Sequence, residues 1–356
     1  MAKSKYEIKL PKENLKGNIM RAAFIDKTLN IYISEAEKPK LKTGYALIKV
    51  VYSGICGTDL SIASGGQKHR INYPHIMGHE FSGIIDELNG EADFKKGDRV
   101  VIDPLYSCGE CVPCKNNQHQ VCANLKVLGI EFEGSFSEYV AVPIENIHKI
   151  PDDLPDQLAC LIEPLSVAYR AVNRANLKGD EKIYISGGGP IGLLVGLIAQ
   201  HKGIKNIILS EINPYRLKMA KEFGFEIIDA SKTKNLEEYL ISNYEAKVDV
   251  VFEAAGLPIT AQQMTTAVKE QGKIILVGLF KEAPLIDLST MQYKEITLLT
   301  TRSYTRNEFK EAINLAVNQR NNLERIISHV VNLEDTNEAF RIMRSAENVL
   351  KVLIKS

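Results

Sequence analysis

The sequence predicts an α/β protein in which a β-rich N-terminal domain is followed by a doubly wound parallel-sheet domain. Before about residue 165, short apolar runs lie between Gly, Pro and Asn residues, a pattern typical of strands in a β-rich domain. After Pro164, apolar runs alternate with segments of helical spacing, as in right-handed βαβ units. The predicted domains are residues 1–166, 167–303 and 304–356, the last returning to the first domain.

The strand candidates support this division. In the first part they are Tyr45–Tyr52, Glu80–Leu88, Asp98–Ile102 and Phe136–Val142, and in the second Lys182–Ser186, Asn206–Leu209, Val248–Phe252, Lys273–Val277 and Ile296–Leu299. The second set is nearly all apolar, as expected of strands covered on both faces. Pro214–Phe223 has helical spacing, and from about Thr305 the pattern is mainly helical. The last strand candidate, Val349–Ile354, has no obvious place in the second sheet, so we expect it to pair in the first domain.

Composition excludes several classes of partner. The 356 residues include 44 Lys and Arg and 44 Asp and Glu, so the formal net charge is zero and gives no electrostatic case for nucleic acid or a membrane surface. No apolar run reaches the roughly 18–20 residues that span a bilayer. The Lys-rich segment Met1–Lys16 has no apolar run after it, so it predicts a solvated extension rather than a secretory signal. The expected compartment is the cytoplasm.

A glycine-rich turn predicts a dinucleotide site. Gly187, Gly189 and Gly192 fit the GxGxxG pattern between a strand candidate and the apolar segment Leu193–Gln200. The first glycine permits a tight turn, the second lets the backbone approach a pyrophosphate, and the third allows close helix–strand packing. The pyrophosphate would lie at a helix N-terminus, where free N–H groups favour an anion. Pro190 and Ile191 complete this candidate site.

An acidic residue after the second strand of this domain favours NAD over NADP. Glu211 follows Ile207-Ile208-Leu209-Ser210, nineteen residues after Gly192. A carboxylate there accepts hydrogen bonds from the adenosine ribose hydroxyls and repels a 2′-phosphate. Arg216, five residues further on the predicted helix, is also a candidate cofactor contact.

Four cysteines predict a structural zinc site. Cys108, Cys111, Cys114 and Cys122 fall within fifteen residues, and four thiolates make a closed tetrahedral site with no position for a reacting water. Such a site would fold a loop that lacks a core of its own. His119 lies inside the loop and is an alternative ligand. Cys160 has no partner in this scheme and is expected to be buried packing.

A second, dispersed set has the donor types of a catalytic zinc. It comprises the motif Cys56-Gly57-Thr58-Asp59, the pair His79-Glu80 and Glu163. One Cys, one His and a carboxylate leave an exchangeable position at the metal. Each residue alone is weak evidence, since a single His or Cys is more often structural. The set becomes persuasive in combination with the dinucleotide pattern.

These motifs resemble those of the zinc-containing medium-chain dehydrogenases, the superfamily of alcohol, sorbitol, xylitol and threonine dehydrogenases. The resemblance extends from about Met20 to Lys355 and rests on the motifs above together with Gly97-Asp98-Arg99-Val100, Gly134–Tyr139 and Glu163–Ala168, which occur in family order. It implies a GroES-like catalytic domain and a Rossmann domain with the active site in the cleft between them. It also implies a homotetramer or homodimer.

The resemblance also implies roles for the second set of residues. Cys56 and His79 match two catalytic zinc ligands, and Glu163 matches a position that is glutamate in the polyol and threonine branch. Glu80 matches a carboxylate that can approach the metal, and which carboxylate coordinates stays open. Thr58 is expected to pass the substrate proton toward solvent. Where relatives often carry a relay histidine this chain has Ser61, and where the polyol branch has an aromatic it has Ala63.

The expected reaction is NAD-dependent oxidation of a secondary alcohol on a polyol, sugar alcohol or cyclitol. Polar candidates near the cleft are Tyr52, Ser53, Glu80, Glu163, Arg302 and Tyr304. The alternatives are a threonine-type dehydrogenase and a sugar-alcohol-phosphate dehydrogenase, for which Lys68-His69-Arg70 or Arg302 would hold the anionic group. A regulatory protein that binds zinc and NAD(H) without catalysis is disfavoured by the joint presence of Cys56, Thr58, His79 and Glu163.

Overall fold

The computed structural model describes residues 18–244 and 247–356, so the extension Met1–Lys16 lies outside the described residues. The first part of the chain forms β1 (Ile19–Ile25), β2 (Ile31–Glu37), β3 (Tyr45–Gly54), α1 (Gly57–Ile62), β4 (His75–Ile76), β5 (Glu80–Asn89), β6 (Arg99–Ile102), β7 (Leu105–Tyr106), α2 (Val112–Lys115), β8 (Lys126–Val127), β9 (Tyr139–Pro143), β10 (Ile147–Lys149) and α3 (Asp156–Ala159). Helix α4 (Ile162–Ala175) leads into the second part.

The rest of the chain alternates strands and helices before it returns. It forms β11 (Lys182–Ser186), α5 (Pro190–His201), β12 (Asn206–Glu211), α6 (Pro214–Glu222), β13 (Glu226–Asp229), α7 (Leu236–Tyr244), β14 (Val248–Glu253), α8 (Pro258–Ala267), β15 (Val268–Leu276), α9 (Leu288–Tyr293), β16 (Thr297–Thr300), α10 (Arg306–Asn318), α11 (Arg320–Ile326), β17 (Ile327–Asn332), α12 (Thr336–Ser345) and β18 (Lys351–Lys355). No helix in the described ranges is long and apolar enough to cross a membrane.

The second part is an open parallel sheet in the order β13-β12-β11-β14-β15-β16. Its central strands are buried on both faces, and Ile183, Leu209 and Phe252 have no exposed surface. This burial explains the apolar runs in the sequence. The order changes direction at β11, and the turn after β11 therefore lies at the switch point where open α/β sheets bind ligands.

The first part is antiparallel and receives the end of the chain. Its largest sheet has the order β10-β6-β5-β3-β18-β17, with β9 also paired to β3. Strand β18 pairs antiparallel with β3, and Leu353 lies opposite Gly54. The predicted return of the final strand to the first domain is therefore confirmed, as is the two-part α/β architecture.

Several details of the strand prediction were wrong: β13 was not anticipated, β15 begins at Val268 rather than Lys273, and β9 and β17 also differ. Strand β9 begins at Tyr139 rather than Phe136, because the Phe136 backbone makes loop contacts: its N–H donates to Met77 O (2.9 Å) and its carbonyl accepts from Ala23 N (2.8 Å). Strand β17 was not anticipated, because its half-exposed residues do not form a regular apolar alternation. In the described part of the chain its one strand partner is β18, to which it pairs in parallel.

Candidate active site and metal centres

The four-cysteine loop brings its sulfur atoms together. Cys108, Cys111, Cys114 and Cys122 each offer a sulfur within 4.8 Å of the others, close enough to hold one metal ion. Backbone N–H groups of Cys111 and Glu110 help to lower the pKa of Cys108 to about 6, whereas burial raises the pKa of Cys114 to about 12. His119 is outside the group, with Nδ1 3.2 Å from the Ser107 hydroxyl. The donor set fits a closed zinc site with four thiolates.

This loop has no apolar core apart from the cysteines. Between residues 107 and 125, the buried side chains are those of Cys114, Gln120 and Cys122, whereas Val112 is 72% exposed. A segment that buries so little apolar surface needs another source of folding free energy, and metal binding supplies it.

The second group forms where β3 and β5 end side by side. Gly54 of β3 pairs with Glu80 of β5, which places Cys56, just after β3, against His79, just before β5. Cys56, His79 and Glu80 each offer a ligand atom within 4.8 Å of the others. This proximity depends on the pairing register and not on sequence distance. Thr58 lies beside the group, half-buried in the first turn of α1.

Asp59 supports His79 and was missed as a functional residue. The His79 Nδ1 lies 3.7 Å from Asp59 Oδ1, while Asp59 Oδ2 accepts a hydrogen bond from the Cys56 backbone at 2.8 Å. Within the described residues, neither His79 Nδ1 nor Asp59 Oδ1 has a hydrogen-bond partner, so each is available to the other. Burial is the largest single influence and lowers the pKa of His79, but Asp59, Cys56 and Glu163 together outweigh it and raise that pKa well above the ordinary value. A carboxylate behind a ligand histidine fixes its ring orientation, so this pair fits a bound metal.

Glu80 also pairs with a buried lysine. Lys351, at the start of β18, donates from Nζ to Glu80 Oε2 at 2.6 Å and to Ile55 O at 3.1 Å. Only 4% of Lys351 is exposed, so its buried charge depends on a partner, and Glu80 supplies a carboxylate in direct contact. Gly54 makes room for the pair, since a Cβ at that position would collide with Glu80 Oε2. No sequence motif indicated a role for Lys351, which lies 271 residues from Glu80.

Glu163 lies close to the group of three but is not one of its members. It is the second residue of α4 and 7% exposed. Burial, together with the nearby Glu80 carboxylate, raises the pKa of Glu163 to about 7, while His79 acts in the opposite direction. Both carboxylates are therefore near Cys56 and His79, with Glu80 nearer and already paired to Lys351.

The glycine-rich turn has the predicted form. Gly187 has φ +104°, in the left-handed region, and Gly189 is the N-cap of α5, with Pro190 and Ile191 in its first turn. A Cβ on Gly192 would overlap the Gly187 carbonyl oxygen, so only glycine permits this approach of helix and turn. Little surrounds the Cβ position of Gly189, which leaves the helix N-terminus open to an anion.

Glu211 and Arg216 flank this turn. Glu211 ends β12, and its carboxylate accepts hydrogen bonds from the backbone N–H groups of Gly188 (2.9 Å) and Ile212 (2.7 Å). Arg216 Nη1 lies 3.7 Å from Glu211 Oε2 and near the Cβ position of Gly189. The predicted cofactor residues thus lie together at the switch point of the sheet.

The remaining polar candidates are in different environments. Arg70 donates from Nε to Glu131 and from Nη1 to Gln67, each at 2.6 Å, so its charge is already paired with a carboxylate. Ser53 is fully buried and shares a hydrogen bond of 2.6 Å with Ser135. Arg302 is exposed and forms no ion pair within residues 18–244 and 247–356. Cys160 is fully buried, as predicted, and its sulfur donates to Gln157 O.

Comparison with known proteins agrees with this geometry. The family model described as the alcohol dehydrogenase GroES-like domain matches residues 42–152, and the one described as zinc-binding dehydrogenase matches residues 190–318. A 2-dehydro-3-deoxy-L-galactonate 5-dehydrogenase of Pseudoalteromonas atlantica is 36% identical over 93% of this chain and 96% of its own length. An L-threonine 3-dehydrogenase of Thermococcus kodakarensis is 33% identical over 88% and 91%.

A solved structure is similar over the same extent. An Escherichia coli protein described as a short chain alcohol dehydrogenase complexed with NADH has a TM-score of 0.88 and 31% identity, covering 96% of this chain and 100% of that one. The two family models account for most of the chain in the order in which the two parts fold. The chain therefore belongs to the zinc-dependent medium-chain dehydrogenases and is an NAD(P)-dependent zinc alcohol dehydrogenase.

Proposed function

We propose that this protein oxidises a secondary alcohol of a polyol, sugar alcohol or cyclitol to the ketone, with NAD as hydride acceptor. The observation that carries the proposal is the group Cys56, His79 and Glu80, with Glu163 beside it on α4. Helix α4 packs against α5, which begins at the dinucleotide turn. One helix therefore connects the metal group with the cofactor site.

We assign the catalytic zinc to Cys56, His79 and the carboxylates Glu80 and Glu163, and the structural zinc to Cys108, Cys111, Cys114 and Cys122. When bound, the catalytic zinc polarises the substrate oxygen as a Lewis acid, and NAD accepts the hydride. Asp59 holds the His79 ring, and Lys351 fixes one oxygen of Glu80. Thr58, half-buried in the first turn of α1, receives the hydroxyl proton and passes it toward solvent.

We predict that the enzyme prefers polyhydroxylated substrates to simple alkanols. Buried polar groups around the site would lose their partners with an alkanol, at a cost of about 1–3 kcal/mol for each group. The name of the Pseudoalteromonas atlantica relative refers to a polyhydroxylated sugar acid, which supports this class and, through its carboxylate, also the second candidate below. The measurement is kcat/KM by absorbance of NADH for polyols and cyclitols against 2-butanol. A clear preference for 2-butanol would overturn the substrate class and leave the zinc and NAD assignments intact.

A second candidate is a substrate that also carries an anionic group, as threonine, a sugar acid or a sugar-alcohol phosphate does. The observation that favours it is Arg302, exposed and without an ion pair in the described part of the chain, two residues before the buried Tyr304 near Glu163. The same kinetic screen should include L-threonine, sugar acids and sugar-alcohol phosphates. If these are preferred, Arg302→Gln should raise KM for them and leave KM for neutral polyols unchanged.

We predict a preference for NAD through Glu211. Glu211→Ser should lower the ratio of kcat/KM for NAD to kcat/KM for NADP roughly 5- to 150-fold. This factor corresponds to about 1–3 kcal/mol, the expected loss when a charge-assisted hydrogen bond to the ribose is removed. Asp229 lies beside Glu211 in the register of β12 and β13, so Asp229→Ser is a matched control that should leave the ratio unchanged. An unmodified enzyme that uses NADP as well as NAD would refute the assignment.

We propose domain boundaries at 1–166, 167–303 and 304–356. The first boundary lies inside α4, so a continuous helix joins the two parts.

We also propose a homodimer or homotetramer, since large apolar side chains of the second part are exposed, among them Leu279, Leu285 and Tyr293. Light scattering of the purified protein measures its mass. A four-thiolate site needs reduced cysteines, which supports a cytoplasmic location.

A further inference from the structure

Glu253 is a buried acidic residue at the carboxyl end of β14, next to the dinucleotide turn. It lies opposite Ser186, the last residue of β11, and has no exposed surface. Its Oε1 accepts hydrogen bonds from the backbone N–H groups of Ala255 (3.1 Å) and Gly256 (2.8 Å), whereas its Oε2 has no hydrogen-bond partner in the described residues. Burying a carboxyl group with one unpaired oxygen costs free energy, so the contacts of the other oxygen must offset that cost.

This carboxyl group holds the turn that follows β14. The Thr260 hydroxyl, in the first turn of α8, lies 2.7 Å from Glu253 Oε1 and 2.8 Å from Leu257 O, and these two acceptors share its one proton. Together with the two backbone donors, this contact ties the turn 254–257 and the start of α8 to one side chain. Without the carboxyl oxygen, two N–H groups and this hydroxyl would each lose an acceptor.

The same residue adjoins the turn that follows β15. The Glu253 backbone carbonyl accepts from the N–H groups of Val277 and Gly278, each at 2.8 Å. A Cβ on Gly278 would collide with Gly256 N and with Glu253 Oε2, so glycine is needed where the two turns approach each other. The turns after β14 and β15 are therefore held together around Glu253.

These two turns lie beside the dinucleotide turn on one side of the switch point. The Ala254 N–H donates to Ser186 O at 2.9 Å, and a Cβ on Gly187 would lie 3.0 Å from Ala255 N. A dinucleotide binds across the switch point, with one mononucleotide half on each side of it. Glu211 ends β12 on one side, where the adenosine ribose is expected. The nicotinamide half is therefore expected on the other side, at the turns after β14 and β15.

We propose that Glu253 is a positioning residue for the nicotinamide half of the dinucleotide. It keeps the turns after β14 and β15 in the conformation that borders this half, and it is not assigned a contact with the cofactor. A ligand that binds to preformed turns avoids the cost of ordering them, so looser turns should weaken binding. The inference rests on the dinucleotide site and on the proposed use of NAD, but not on the substrate class or the catalytic zinc.

The test compares NADH with ADP-ribose, which lacks the nicotinamide ring, as ligands of Glu253→Met and Glu253→Gln. The two new side chains are similar in length, but only Gln keeps an oxygen that accepts from Ala255 and Gly256. Titration calorimetry of the purified protein with its metals gives both Kd values. We expect Glu253→Met to raise the Kd of NADH about tenfold, as the loss of one hydrogen bond can do, and to leave the Kd of ADP-ribose unchanged.

Glu253→Gln should bind both ligands as the unmodified protein does, because the acceptor is restored. A folded Glu253→Met that binds NADH as tightly as the unmodified protein would overturn the proposal. A variant in which the Kd values of NADH and ADP-ribose rise equally would also overturn it, since the effect would then belong to the whole sheet and not to the nicotinamide half.

Two further variants separate positioning from general stability. Asp249→Ala removes an acidic residue near the other end of β14, where Oδ2 accepts from Lys182 N at 2.7 Å, and should lower the unfolding temperature without changing either Kd. Thr260→Val keeps the shape of the side chain but removes the hydroxyl beside Glu253, so it should raise the Kd of NADH and not that of ADP-ribose. If Glu253→Met does not fold, Thr260→Val decides by the same criteria.

The proposed use of NAD is tested separately by the unmodified protein. If that protein binds NADPH and not NADH, the cofactor assignment is wrong, and the comparison then uses NADPH and 2′-phospho-ADP-ribose. The expected result for Glu253 is the same, because the nicotinamide half is common to both cofactors.

Discussion

Cys56→Ser should lower kcat/KM by about a thousandfold or more and leave the fold intact. The thiolate is one of two non-carboxylate donors in the group with His79 and Glu80, and its loss should release the metal. Lewis-acid polarisation contributes several kcal/mol to such reactions, and each 1.36 kcal/mol corresponds to a factor of ten. Elemental analysis should show one zinc per chain instead of two, and the thermal unfolding temperature should change by only a few degrees.

The matched control is Cys160→Ala. Cys160 is fully buried, as structural cysteines often are, but belongs to neither metal group. This variant should keep two zinc ions and activity within a few-fold of the unmodified enzyme. If Cys56→Ser kept substantial activity with one zinc per chain, the catalytic assignment of the dispersed group would be wrong.

The chemistry of a site could be predicted from the sequence where all residues of that site lie in one motif. The four cysteines lie in one loop, and the dinucleotide turn lies in one strand–turn–helix unit, so spacing alone is informative. The second metal group needed a different kind of evidence. Cys56 and His79 meet because Gly54 pairs with Glu80, and a register is a tertiary property that single motifs do not contain.

The supporting residues were beyond the reach of sequence reasoning for the same reason. Lys351 reaches Glu80 only because β18, the last strand, pairs with β3 of the first part of the chain. A lysine in a strand near the C-terminus would ordinarily be assigned to the surface. Sequence reasoning could have identified Asp59. It lies three residues after Cys56 at the start of a helix, and an acidic residue at that position commonly caps the helix. That capping role concealed its second contact, with His79.

The fold was predicted best where strands are buried on both faces. The strand Lys182–Ser186 has the predicted bounds because continuous burial gives a continuous apolar run. Strand β17 gave no such signal, since its residues are half-exposed and it depends on one neighbour. Arg70 illustrates the corresponding limit for function: its charge suggested an anion site, but the structure pairs it with Glu131.

Cys111→Ser should unfold the four-cysteine loop and leave the catalytic metal in place. This loop buries almost nothing but cysteine side chains, so its order depends on metal binding. Apparent zinc-binding free energies in small zinc domains are about 10–16 kcal/mol, and an incomplete ligand set loses part of that contribution to folding. We expect one zinc per chain, a lower unfolding temperature and about tenfold faster proteolytic cleavage within residues 108–122.

Val112→Ser is the matched control for this loop, because Val112 is adjacent to Cys111 but 72% exposed and offers no metal ligand. It should keep two zinc ions and the original cleavage rate. Because the catalytic group lies at the adjoining ends of β3 and β5 and on α4, outside the four-cysteine loop, freshly purified Cys111→Ser should retain most of its kcat, in contrast to Cys56→Ser. If Cys111→Ser kept two zinc ions and an equally resistant loop, the four thiolates would not be the ligands of the structural zinc.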